Sequence, residues 1–227
     1  MTRTAVLAGA SGAVGGEVLR ALLKDSDWGR VHSLVRRPGG TEDPKLSEHV
    51  VDFDELDAQR ELFADADVFC CLGTTASQAG SKEAFRKVDY GYVVKLAQLA
   101  ADANARQFLL VSGIGTSPKS PFYYSQVKAE AERAVSAMPL PAVQIFRPSL
   151  LLASRPDSRP AEDAFKKLTP LANLLLIGPL ARYRPVATAE VARHMVEVAK
   201  AQKPGVHVHY SKSHVGGPNR SSPNSRR

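Results

Sequence analysis

The apolar positions of the chain fall into short continuous runs that alternate with stretches of helical periodicity. Thr4 to Ala8 is the first run; Gly9, Gly12 and Gly15 follow it, and Val14, Val18, Leu19, Leu22 and Leu23 share one helical face. This order predicts a strand, a glycine loop and an amphipathic helix. Asp25-Ser26-Asp27 breaks the helix, and Val31 to Val35 makes a second strand ended by Arg36-Arg37-Pro38-Gly39-Gly40. A third short strand is expected around Val50-Val51, ending at Asp52-Phe53, with a short helix over Glu55 to Phe63. Ala66 to Leu72 forms a buried fourth strand, closed by Gly73-Thr74-Thr75. Phe85, Val88, Val93, Leu96, Leu99, Ala100 and Ala103 then make the longest helical stripe.

Phe108 to Val111 is a fifth strand, and Ser112 to Pro121 is a Gly/Ser/Pro loop. Tyr123 to Met138 has helical composition, and Val143 to Phe146 is a sixth strand stopped by Arg147-Pro148. Residues 149–186 are Pro-interrupted, with helical pieces expected over Ala161 to Leu168 and Pro170 to Ile177. Thr188 is expected to cap a helix bearing Val191, Met195 and Val198, and Val206 to Tyr210 to form a last strand. Strands alternating with helices in this way imply an α/β fold, a doubly wound parallel sheet covered on both faces.

Composition narrows the picture. The chain has 227 residues, 44% of them hydrophobic and 23% charged, the profile of one globular domain. That domain is placed at residues 1–210, with 149–186 as a substrate-side insert and 211–227 as a basic tail expected to be disordered. The tail also disposes of the net charge of +7 as a nucleic-acid signal. Lys212, Arg220, Arg226 and Arg227 lie in it without an acid, and setting those four charges aside leaves +3 for the body. No specific nucleic-acid partner is expected. Cys70 and Cys71 are neighbours on a strand and face opposite ways, so no disulfide joins them. The start of the chain shows no apolar signal segment, and Leu171 to Leu180 is far short of the ~20 residues of a spanning helix. A cytoplasmic location is expected, and Leu171 to Leu180 is expected to line a substrate pocket or a homodimer contact, in preference to lying on a membrane surface. His207 and His209 share a face of their strand, but no carboxylate or cysteine spacing joins them, so no metal site is expected.

The chemistry begins at the glycine loop. A strand, a Gly-rich turn and a helix in this order suit a dinucleotide. Gly9 permits the sharp turn, Gly12 lets backbone approach a pyrophosphate, and Gly15 lets helix pack on strand, with Ser11, Ala13 and Val14 completing the cradle. In a doubly wound sheet the loops beyond the strands' carboxyl ends share one crevice. Arg36 and Arg37 therefore reach the adenosine ribose, where an NAD site usually offers a carboxylate. Guanidinium attracts a 2′-phosphate, so NADP(H) is favoured over NAD(H), with Arg36 the first choice. Asp52 and Phe53 are expected near the adenine, and Leu72, Gly73 and Thr74 near the nicotinamide-side ribose.

A second constellation is Tyr124-Ser125-Gln126-Val127-Lys128. Positions four apart on a helix share a face, so phenol and ammonium project together. A phenol, with an ordinary pKa of about 10, becomes a useful acid/base when an ammonium favours its phenolate. Tyr124 can then exchange a proton with a carbonyl or alcohol oxygen while hydride moves to or from a nicotinamide, and Lys128 can also hold the ribose. Ser112 is the first choice for polarising the substrate oxygen, and Thr116 the alternative.

These motifs resemble the short-chain dehydrogenase/reductase superfamily in its atypical or extended NAD(P)-binding branch. The resemblance is to the bacterial relatives of the Tat-interacting-protein oxidoreductases, often labelled NAD-dependent epimerase/dehydratase. It is carried by Gly9 to Gly15, Cys70 to Thr75, Tyr124 to Lys128 and Phe146-Arg147-Pro148, and weakens through Arg184 to Val191. It implies a Rossmann fold, an NADP(H) site at the glycine loop and a catalytic set of Ser112, Tyr124 and Lys128 acting on a small molecule. Some members of the branch look like cofactor-dependent regulators, so an NADPH-binding sensor or interaction module is the alternative, and epimerase or dehydratase chemistry stays open. Two departures stand out: Ser112-Gly113 replaces a double serine, and Val88-Asp89-Tyr90 replaces an asparagine-containing pattern on the long helix.

Overall fold

The computed structural model describes residues 2–152 and 184–210. Seven parallel strands form one sheet. They are β1 (Arg3–Ala8), β2 (Trp28–Val35), β3 (Leu46–Val50), β4 (Ala66–Cys70), β5 (Gln107–Val111), β6 (Ala142–Arg147) and, last in the chain, Gly205–Tyr210. The strand order is β3-β2-β1-β4-β5-β6 followed by Gly205–Tyr210. The chain thus winds outward in one direction from β1 to β3, returns to the middle at β4, and winds outward the other way. This reversal between β1 and β4 opens a crevice above the carboxyl ends of the strands.

Parallel strands need crossovers, and the crossovers cover both faces. On one face lie α1 (Ala13–Lys24) and the helix Thr188–Ala201; Val14, Val18 and Leu22 pack with Val191, Met195 and Ala199 against Ala5, Leu7, Phe69 and Leu109. On the other, the helices Val93–Asp102 and Tyr123–Ser136 bring Val93, Leu96, Ala100, Ala131 and Val135 onto Val6, Val68, Phe108 and Ile145. The three-layer Rossmann arrangement matches the expected fold class.

Several boundaries differ from the sequence pattern. β3 ends at Val50 instead of beginning near it, because Leu46 to Val50 is an edge strand whose side chains are only half-buried and give no apolar run. Glu55 to Phe63 becomes a 3-10 helix over Leu56–Phe63. The long stripe over residues 85–103 is three pieces: a helix Lys82–Arg86, a π-helical segment Lys87–Tyr92, and Val93–Asp102. A short helix, Ala76–Ala79, precedes them, so the helices in chain order are α1, α2 (Ala76–Ala79), α3 (Lys82–Arg86), α4 (Val93–Asp102), α5 (Tyr123–Ser136) and α6 (Thr188–Ala201). Thr188 is not the cap of α6: Ala187 is, and Thr188 is its buried first residue. Two short strands, β7 (Leu151–Leu152) and β8 (Val186–Ala187), pair in parallel beside the main sheet, so the seventh strand of that sheet is β9. The helical pieces expected within 161–177 and the tail 211–227 lie outside the described residues. Among the described residues no helix is long and apolar enough to cross a membrane.

Candidate active site

The glycine loop links β1 to α1. Gly9 has φ +93°, and a Cβ there would stand 2.6 Å from the Cys71 carbonyl oxygen, so no other residue lets the loop pass the end of β4 so closely. A Cβ on Gly15 would collide with the Gly9 carbonyl oxygen, which is why α1 can begin directly against the turn. The turn is closed by the Gly12 N–H donating to Gly9 O at 3.0 Å. Gly12 is the N-cap of α1 and supplies no capping side chain, and the first turn holds no acid. The unpaired N–H groups of that turn and the positive end of the helix therefore face the crevice. Ser11, Gly12 and Ala13 are exposed there, while Val14 and Gly15 are buried beneath them. This is a cradle for a phosphate-bearing nucleotide.

The side of the crevice where the sequence leads one to expect adenosine is formed by the ends of β2 and β3. Arg36 and Arg37 follow β2, are exposed, and make no ion pair with another described residue. The Gly39 N–H donates to Glu48 Oε2 at 2.9 Å and folds their loop back on β3. Asp52 is exposed and accepts from the Asp54 N–H at 2.9 Å, fixing the turn after β3. Phe53 is buried, its ring 5.4 Å from that of Tyr92, so its side chain belongs to the core.

At the other side of the switch point, Leu72, Gly73 and Thr74 leave the end of β4, with the Cys71 N–H donating to Ala8 O at 2.9 Å. Lys128, on α5, reaches back under this turn. Its ammonium is buried 2.8 Å from Asp89 Oδ1, and Asp89 is fully buried. Burial by itself would lower the Lys128 pKa, but the Asp89 carboxylate and, less strongly, the Tyr124 oxygen outweigh it, so the ammonium is held above its ordinary value. Asp89 Oδ2 accepts from the Thr74 N–H at 2.9 Å.

Tyr124, one turn before Lys128, is 43% exposed. Its ring packs 5.6 Å from that of Phe85, and a Cβ on Gly113 would stand 3.3 Å from its hydroxyl, so the phenol rests at the end of β5. Ser112 and Thr116 lie at the same end, both buried, with their hydroxyls 3.4 Å apart. Thr116 donates to the Gly113 carbonyl at 2.6 Å. Its proton is committed to that carbonyl, so in the 3.4 Å contact Ser112 is the donor and Thr116 the acceptor. The glycine loop, the β4 turn, Ser112, Tyr124 and Lys128 thus meet at one end of the sheet. Asp89 joins them; the sequence marked its position only as a departure, an aspartate where an asparagine was expected.

The comparisons agree with this geometry. Residues 9–165 match a family model described as NAD(P)H-binding. Protein HTATIP2 of Rattus norvegicus is 37% identical over 169 residues, covering 73% of this chain and 69% of that protein. The mitochondrial protein FMP52 of Lodderomyces elongisporus is 29% identical over 212 residues, 88% of each. Among solved structures, the oxidoreductase ylbE from Lactococcus lactis superposes with a TM-score of 0.68 at 16% identity, covering 92% of both chains. UDP-N-acetylglucosamine 4-epimerase from Methanobrevibacter ruminantium M1 gives 0.67 at 16% identity, covering 92% of this chain and 76% of that one. The structural likenesses establish the fold; the family model and the sequence relatives establish the kinship. The chain belongs to the NAD(P)H-binding Rossmann family that includes protein HTATIP2.

Proposed function

We propose that this protein is an NADP(H)-dependent oxidoreductase that interconverts a small carbonyl compound and its alcohol. The observation that carries the reading is the grouping of the Tyr124 phenol, the Ser112 hydroxyl and the Lys128 ammonium at the ends of β4 and β5, across the crevice from an uncapped helix N-terminus. The NADP(H) preference rests on Arg36 and Arg37, two exposed guanidiniums following β2 to which no acid among the described residues is bound.

The residues fit the coenzyme. The α1 N–H groups would hold the pyrophosphate, Arg36 and Arg37 the 2′-phosphate, and Lys128 the nicotinamide ribose. The coenzyme, when bound, supplies or accepts hydride. In the reducing direction Ser112 donates a hydrogen bond to the substrate carbonyl oxygen, and Tyr124 passes its proton to that oxygen as the C–H bond forms. The carbonyl oxygen becomes the hydroxyl of the product alcohol, and Tyr124 regains its proton from solvent, to which the residue is partly open. In the other direction Tyr124 takes the proton from the alcohol.

Screening small carbonyl compounds for NADPH oxidation, with Tyr124→Phe as the control, tests the mechanism. The substitution is expected to lower turnover by at least about 100-fold, the scale of general acid catalysis. Turnover indifferent to it would contradict the role given to Tyr124.

A further inference from the structure

Asp89 is a buried charge to which hydride transfer gives no task. Its carboxylate faces two donors: Oδ1 makes an ion pair with the Lys128 ammonium at 2.8 Å without hydrogen-bond alignment, and Oδ2 accepts from the Thr74 N–H at 2.9 Å. The residue sits in the π-helical segment Lys87–Tyr92, the irregular turn that separates α3 from α4, and such turns occur frequently at functional sites. The segment is clamped on both sides, by Arg86 to Glu130 of α5 at 2.7 Å and by Lys87 to Asp54 at 2.7 Å. Above the pair lies Gly73, where a Cβ would stand 3.4 Å from Asp89 Oδ1 and 3.6 Å from Lys128 Nζ. The pair therefore lies directly beneath the bare backbone of the β4 turn.

We infer that Asp89 is a positioning residue for the nicotinamide-ribose end of the coenzyme. It holds the Lys128 ammonium and the Gly73–Thr74 turn in one fixed relation, so that this half of the site is formed before a nucleotide arrives. The inference rests on the coenzyme reading above. A carboxylate is needed because two donors converge on it. Asparagine has one acceptor oxygen, and its amide group would face either an N–H or an ammonium donor to donor. A buried ammonium that loses its counter-charge moves or gives up its proton, and either change removes the fixed donor.

Calorimetric titration with NADPH and with adenosine 2′,5′-bisphosphate, which carries the phosphorylated adenosine but no nicotinamide ribose, separates the two ends of the site. Asp89→Asn is expected to weaken NADPH roughly tenfold or more, the worth of a hydrogen bond to a charged group, and to leave the bisphosphate within about twofold. In a Lys128→Met background the same substitution should cost NADPH markedly less, because its main effector is already gone. An equal loss for both nucleotides, an unchanged NADPH affinity, or equal costs in both backgrounds would overturn the inference. If Trp28 emission shows that Asp89→Asn alone is unfolded, the double variant, which leaves no stranded ammonium, is expected to fold and to bind NADPH within about twofold of Lys128→Met; a further loss of about tenfold there overturns the inference. A wild-type protein that binds neither nucleotide overturns the coenzyme reading and this inference with it, whereas wild-type binding that Asp89→Asn leaves intact overturns this inference alone.

Discussion

Alanine at Gly15 would drive its methyl group into the Gly9 carbonyl oxygen, and both sides of that contact are backbone. Nothing there can yield without moving α1 off the sheet. Gly15→Ala is expected to cost about 1–3 kcal/mol, the usual penalty of overpacking, and to abolish NADPH binding. Gly16→Ala is the control: its Cβ would stand 3.3 Å from Ala10 O, within reach of a small adjustment, and the gain in helix propensity offsets the squeeze. Urea denaturation followed by Trp28 emission should place it within about 1 kcal/mol of wild type. Gly9 and Gly15 could be named from the sequence because spacing alone expresses their backbone demands. Asp89 could not, since its role comes from a meeting with Lys128 and Thr74 that no local pattern records. The hydrogen bond from Thr116 to the Gly113 carbonyl is likewise a tertiary fact that no local pattern records.

The sheet is tied at the end opposite the site. Asp67, at the start of β4, is fully buried and accepts from Arg3 of β1 through both oxygens at 2.7 and 2.8 Å, from Trp28 of β2 at 3.1 Å and from Gln107 of β5 at 2.8 Å. Arg3 and Gln107 also donate to Ala199 O in α6, each at 2.7 Å. Breaking one partner of such a network strands the other, so Asp67→Ala should lose about 3–5 kcal/mol of stability. NADPH affinity of the remaining folded protein should be unchanged, because the crevice lies at the other ends of the strands; a matching loss of affinity would count against that separation. The β2–β3 edge carries a pH dependence. His32 Nδ1 lies 2.9 Å from His49 Nε2, and burial first, then the His49 and Arg30 charges, hold the His32 pKa below its ordinary value. The unfolded chain therefore takes up a proton that the folded chain resists, so this contribution is present above about pH 6.5 and is lost as pH falls from there through the lower value of the folded chain. Melting temperature between pH 8 and pH 5.5 should fall less steeply in His32→Asn than in wild type. Periodicity found β1, β4, β5 and β6 because they are buried on both faces and so read as nearly continuous apolar runs, broken only by Asp67 in β4 and Gln144 in β6. It misplaced β3, a half-exposed edge strand, and it could not see the π-helical break, since the apolar stripe continues through it.

The fold as a whole brings together residues scattered from Gly9 to Lys128, and it does so by one topological fact, the reversal of strand order between β1 and β4. That reversal followed from the alternation of strands and helices and was legible in the sequence. The pairing of β7 with β8 was not, because two-residue strands leave no periodic trace. A ligand that binds only the folded chain should stabilise it by mass action, about 2.7 kcal/mol at a hundredfold excess over its dissociation constant. The most direct test of the account is a pair of calorimetric titrations of the wild-type protein with NADPH and NADH, repeated on Arg36→Ala. The account predicts tighter binding of NADPH, by tenfold or more from a charge-assisted contact to the 2′-phosphate, and a loss of that preference in the variant while NADH binding stays the same. NADH bound as tightly as NADPH, with Arg36→Ala changing neither, would contradict it.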